Sequence, residues 1–314
     1  MSLNTITGKN KSLALLGHLG AIVAVTAWGL SFISTKVLME DGHFTPVEMF
    51  TFRFSAAYLV ILAITITKAP FSHPWRDELR FAICGICSGS LYFIVENFAL
   101  QKTTAANVSM LASISPLFTI ALVALIYKTK ITGGVIFGSI LAFVGVGFVI
   151  LSNGTGLEIH PAGDLLALCA SLSWAIYSLV VKPLLPHYNG FYISRKLFFY
   201  GVITSIPLLL MQPEESHLHL LWDFNHSEYI LNFLFLVMIC SVAAYVIWNE
   251  SMKVLGSVTT NNYLYGQPVV TMIAAAIWLS EGITWMGCLG CILIILGLIV
   301  TDHLPSIKQK LLSK

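Results

Sequence analysis

The chain has 314 residues, of which 57% are apolar and only 10% charged, with a mean hydropathy of +0.83 and a net charge of +2. That leaves too little polar surface to cover a soluble globule and places the chain in a bilayer. The weak charge, without any dense run of Lys and Arg, gives no field for a nucleic-acid partner. A spanning helix needs about 20 apolar residues. Ten such segments are predicted, at 15–37, 46–67, 79–100, 104–127, 131–151, 163–183, 191–211, 229–251, 257–279 and 283–303. The first follows a polar dozen residues without a cleavage signal, so it is expected to be a retained helix. Connections at 40–46, 128–132 and 280–284 permit only tight antiparallel turns, and the two longer ones, 152–163 and 212–228, are too small for a soluble domain. The six cysteines, Cys84, Cys87, Cys169, Cys240, Cys288 and Cys291, all fall in apolar segments, where Cys acts as a small hydrophobe. Two CxxC spacings lack a nearby His or carboxylate, so no metal and no disulfide framework are expected.

Basic residues near helix ends are retained in the cytoplasm. With ten helices and an inside N-terminus, fourteen of the seventeen Lys and Arg fall on one face, only Lys102 falls on the other, and Lys36 and Arg53 remain for the membrane. Adding or removing one helix would destroy that bias, so both termini (1–14 and 304–314) are expected to be cytoplasmic tails.

The stretch from Trp248 to Pro268 has a fainter copy from Glu96 to Pro116: in each, an asparagine (Asn97, Asn249) precedes a proline by 19 positions. Trp28 is likewise followed at eight residues by Lys36, and Trp174 by Lys182. Such self-similarity indicates a duplication. Five helices per copy is an odd number, so the fold class expected is all-α integral membrane, with ten helices as two inverted five-helix repeats at 15–151 and 163–303. Inverted repeats of this kind place a solute site near the midplane between the halves. Pro116 and Pro268 sit mid-span in the matched fourth and ninth helices, each freeing a backbone carbonyl, with Gly266 a further weak point. They either bound a cavity and act as hinges or set fixed packing bends.

Ionisable groups within spans are candidates for function. Arg53 or Lys36 would attract a substrate carboxylate or pair with Glu96 in an outer gate; alternatively Lys36 snorkels, Glu96 reaches the headgroups and backbone carbonyls hold Arg53. Glu250 is either a proton-exchanging carboxylate or the ion-pair partner of Lys253. His18 reads as a packed or interfacial histidine more readily than a proton carrier. Trp28, Tyr92, Trp174, Tyr177, Trp248, Tyr263 and Tyr265 are candidate cavity aromatics, with Ser113, Ser115, Asn249, Asn261 and Gln267 supplying polar groups near the kinks. Trp222, Trp278 and Trp285 read as interfacial belts. Glycines in the fifth and tenth helices let helices approach closely, for packing or a dimer face, so the chain is a monomer or a homodimer.

The ordered set Trp28-Gly29, Lys36, Pro46, Arg53 and Asn97 to Pro116, then Trp174, Lys182 and Asn249 to Pro268, resembles the two EamA domains of the drug/metabolite transporter superfamily. The resemblance covers about residues 15 to 303. It implies a ten-helix inner-membrane carrier, often an exporter of amino acids or other small metabolites, whose partners are a small-molecule substrate and the lipid bilayer. No catalytic residue and no cofactor is implied. One departure stands out: Glu96 matches Trp248 and Glu250 matches Phe98, so the halves present different charges to the centre. The competing classes are a membrane-embedded lipid-modifying enzyme and a channel. Against them stand the lack of HExxH or GxSxG and of a repeated charge ring, and no GxxxxGK[ST] loop is present for ATP-driven pumping.

Overall fold

The computed structural model describes residues 3–39, 43–66, 74–102, 108, 111–128, 131–152, 160–212, 216–222, 227–278 and 284–312, with the side chains of 3–11, 36, 150, 152, 275, 278 and 302–312 outside the description. Among the described residues all regular structure is helical. We number the helices α1 (Leu3–Met39), α2 (Pro46–Thr65), α3 (Trp75–Lys102), α4 (Ser115–Tyr127), α5 (Gly133–Ser152), α6 (Pro161–Val180), α7 (Gly190–Leu210), α8 (Ser227–Leu255), α9 (Ser257–Asn262, continued by Gln267–Trp278) and α10 (Trp285–Leu312). Six of them, α1, α2, α3, α6, α7 and α8, are long and apolar enough to cross a membrane, and α4, α5 and α10 contribute shorter apolar stretches. The protein is therefore an all-α membrane protein.

Local sequence explains the helix ends. Thr45 caps α2 in a capping box with Glu48, and Pro46 occupies the first turn, where its missing N–H matters least. Asn189 caps α7 by accepting from the Tyr192 N–H. Gly256, at φ +82°, makes the abrupt turn between α8 and α9, a backbone conformation that favours glycine.

The packing is reciprocal between the halves. α1 lies on the C-terminal part of α8, and α6 on the C-terminal part of α3; α4 touches α6 as α9 touches α1; α2 meets α7, and α5 meets α10. Exchanging the halves maps each contact onto another, as a two-fold relation requires. The α5–α10 contact consumes the glycines: a Cβ on Gly145 would stand 2.7 Å from the Gly290 carbonyl oxygen, and one on Gly290 would stand 2.6 Å from that of Gly145. Gly138, Gly145, Gly290 and Gly297 thus serve close approach inside the chain.

Two irregularities recur at matched positions. α3 widens to a π-helix over Ile86–Ser90 and α8 over Leu236–Ala243, related by the 152-residue offset that relates Pro116 to Pro268. Such π segments free carbonyls and often mark functional sites. Here the Ser88 carbonyl accepts from the Tyr245 hydroxyl (2.5 Å), and its counterpart at Cys240 accepts from Trp28 Nε1 (2.8 Å). The second pair of irregularities lies at the prolines. The chain turns at residues 113–114 just before Pro116, and α9 tightens to a 3₁₀ turn over Tyr263–Gly266 just before Pro268.

Candidate functional site

A cavity with about 410 Å³ of empty space, counting its open mouth, lies where these features converge. α1 supplies Trp28 and Phe32, one turn apart on one face; α3 supplies Tyr92, Phe93 and Glu96; α6 supplies Trp174. The broken helices close it, with Ala112 and Ser115 on one side and Leu264 and Gln267 on the other.

The aromatic walls form one connected cluster. Trp28 and Trp174, matched residues of the two repeats, meet edge to face with ring centroids 5.3 Å apart. Trp248 lies 5.0 Å from Trp28, and Tyr92 and Tyr177 lie 5.2 and 5.1 Å from Trp174. Each such pair contributes about 0.5–1.5 kcal/mol beyond area burial. Polar bonds fix the rings: Trp174 Nε1 donates to Asn261 Oδ1 (3.3 Å), and Asn261 Nδ2 donates to Thr119 Oγ1 (2.9 Å), which ties α6, α9 and α4 together. Ser171 Oγ on α6 donates to the Leu111 carbonyl (2.5 Å), next to the turn that precedes Pro116.

The charged residues divide in role. Glu96, 6% exposed, is the one charged group among the described residues lining the cavity, and Oε1 accepts a 2.7 Å bond from the Tyr92 hydroxyl. Arg53 does not line the cavity. Its Nε donates to Ser241 Oγ at 2.8 Å, and its guanidinium lies over the rings of Phe93 (5.1 Å) and Phe54 (5.4 Å). Arg53 and Glu96 feel each other's charge but form no ion pair within 4 Å among the described residues. An Arg at a helix centre costs about 2.5–3.5 kcal/mol by insertion scales, whereas desolvated cation–π contacts return about 2 kcal/mol and a charge-assisted hydrogen bond about 1.5–3 kcal/mol. Arg53 is thus held by one side chain and two rings, and its buried Nη2 has no hydrogen-bond partner among the described residues.

Of the residues expected at a site, the structure brings Trp28, Tyr92, Glu96, Trp174 and Gln267 to the cavity wall, with Ser115 beside them. Tyr177, Trp248 and Asn249 lie behind it, where the Tyr177 hydroxyl donates to Asn249 Oδ1 (2.9 Å) and Asn249 Nδ2 donates to the Tyr245 carbonyl (2.8 Å). Ser113 is buried in the turn before Pro116. Tyr265 packs in a separate cluster with Ala142, Val146 and Ile294 of α5 and α10. Tyr263 shares a 2.7 Å hydrogen bond with His18 Nδ1 of α1, which accounts for that histidine as a packed one. Glu250 Oε1 accepts from the Gly190 N–H at 2.6 Å, so it anchors the start of α7. Lys182 stands over the Tyr127 ring at 4.2 Å. The side chains of Lys36 and Trp278 lie outside the described residues, while Trp222 and Trp285 are exposed. Phe32, Phe93, Ala112 and Leu264 also line the cavity. Phe32 stands four residues after Trp28 and Phe93 three before Glu96, a helical spacing that marks both as facing the same way.

A helical membrane protein made of two repeats around a lined central cavity has the architecture of a solute transporter. The chain matches the EamA-like transporter family over residues 15–151 and 161–301 and belongs to it. It is 29% identical over 289 residues to an uncharacterized transporter of Archaeoglobus fulgidus, covering 90% of this chain and 96% of that one. It is 24% identical to a protein of Escherichia coli (strain K12) named a probable amino-acid metabolite efflux pump, covering 89% and 92%. A protein of Streptantibioticus cattleyicolor named a probable terminal-alkyne amino-acid exporter is also 24% identical, covering 83% and 84%. A crystal structure aligns with TM-score 0.74 at 18% identity, covering 95% of this chain and 99% of its own, and so shares the fold. The protein is a multi-pass membrane transporter.

Proposed function

We propose that the protein is a secondary carrier that exports a small amphipathic metabolite of the amino-acid class across the inner membrane by alternating access, with both termini cytoplasmic. The observation that carries this reading is the cavity at the junction of the two halves, bounded by the matched breaks before Pro116 and Pro268. Repeats 15–151 and 163–303 rock against each other about this centre, with Pro116, Gly266 and Pro268 as the bending points. On one side of the cavity the buried rings of Tyr177, Tyr245 and Trp248 close the path; the way out lies on the side of Phe32 and Glu96. The names of the relatives support both the solute class and the direction. Gradients of solute or ion supply the energy.

The experiment is counter-flow in proteoliposomes. Trapped unlabelled amino acids are expected to drive uptake of a labelled one, saturably. Absence of counter-flow for every amino acid tested, with steady conductance or lipid turnover in its place, would move the protein to another class. Labelling of the connections at Lys128 and Lys253 checks the topology, since both are expected on the cytoplasmic face.

A further inference from the structure

The sequence offers a buried cation, Arg53 or Lys36, as one way to draw a substrate carboxylate, and the cavity wall adds an acid, Glu96. Resting on the carrier reading above, we propose that the cavity recognises the ammonium group of an aryl or bulky alkyl amine, with Glu96 as its counter-charge and Trp28, Tyr92 and Trp174 as its ring walls, and that a free carboxylate on the solute is dispensable.

The argument runs through which charge a solute meets. Glu96 lines the cavity, while Arg53 does not, and its guanidinium lies over the ring of Phe93, itself a lining residue. Arg53 Nε is already engaged by Ser241, and Nη2 is buried without a hydrogen-bond partner among the described residues. A solute anion in the cavity would therefore meet an Arg53 that is 3% exposed and absent from the lining. A solute cation meets Glu96 directly, and Glu96 is held by one neighbouring donor, Tyr92, which leaves lone pairs for a second. Electron-rich faces favour the same sign, since an ammonium over Trp or Tyr is attracted by the ring quadrupole and most strongly where water is excluded. Gln267 supplies a neutral polar group at the wall. Among the described lining residues the second repeat offers no charge, and Trp248 stands at the position matched to Glu96.

The test uses three probes on the full-length protein in detergent, followed by quenching of the cavity tryptophans and by calorimetry: 2-phenylethylamine, phenylalanine and N-acetylphenylalanine. The expected order places the amine and the amino acid together, with the N-acetyl compound weaker by about tenfold or more, the size of a lost charge-assisted bond. Glu96→Gln should abolish that advantage, lowering amine affinity by about tenfold while leaving N-acetylphenylalanine unchanged. The probe series on the unaltered protein stands even where the variant fails to fold. Equal or tighter binding of N-acetylphenylalanine overturns the proposal, as does undiminished amine binding by folded Glu96→Gln. Failure of all three probes to bind also overturns it; counter-flow of some other amino acid in that case leaves the carrier reading in place.

Discussion

Glu96-Asn97 on α3 and Trp248-Asn249 on α8 occupy the same place in the two halves, yet they do different work. Glu96 faces the cavity, while Trp248 is fully buried against Trp28. Asn97 Nδ2 donates to the Pro46 carbonyl at the start of α2 (3.2 Å), whereas Asn249 joins Tyr177 to its own helix. The duplicated frame, meaning the π segments, the breaks before the prolines and the paired tryptophans, has been kept in both copies. One position facing the centre has diverged in charge. The difference teaches that a two-fold scaffold need not carry a two-fold site: Glu96 lines the cavity and its matched residue Trp248 does not.

That contrast can be broken most forcefully by making the halves alike. Trp248→Glu removes a fully buried ring and leaves a carboxylate without a partner, and we expect a loss of about 5 kcal/mol or more in stability, seen as failure to recover monodisperse protein after solubilisation. Recovery of a stable variant would show that the second half has room for a charge, against the comparison. Trp174→Ala comes next, at about 3–5 kcal/mol by denaturant titration in micelles. Its partner variant Trp28→Ala should match it, because the two rings pack on each other. A difference of more than half would mean that the shared cluster is not shared equally. Asn249→Leu leaves the buried Tyr177 hydroxyl unsatisfied, with an expected loss of about 1–3 kcal/mol read from the unfolding midpoint. Asn97→Ala removes one longer hydrogen bond and should cost about 1 kcal/mol or less in the same measurement. A reversed order for the two asparagines would refute the division of labour assigned to them.

Much of the frame was legible because bilayer thickness imposes its own length on apolar segments. Expected boundaries such as 46–67 and 191–211 lie within a few residues of α2 (Pro46–Thr65) and α7 (Gly190–Leu210). The breaks were foreshadowed by proline chemistry, since a missing N–H must interrupt the ladder wherever it falls. The π segments were not, because nothing in the composition of Ile86–Ser90 or Leu236–Ala243 distinguishes a wider turn from an ordinary one. Glycines of α5 and α10 announced close approach but not the surface approached, which proved to be each other.

The site divides in the same way. By itself the sequence determined the membrane class, the duplication, and the candidates Trp28, Tyr92, Glu96 and Trp174, because polar and aromatic residues in lipid-spanning segments are few and helical spacing places them on faces. Only the tertiary structure decided which of Arg53 and Glu96 lines the cavity. Sequence spacing gives depth along a helix, but the direction in which a side chain is shielded depends on neighbours from other helices. Phe93 from α3 and Ser241 from α8 enclose Arg53, whereas Glu96 reaches the cavity wall beside Tyr92.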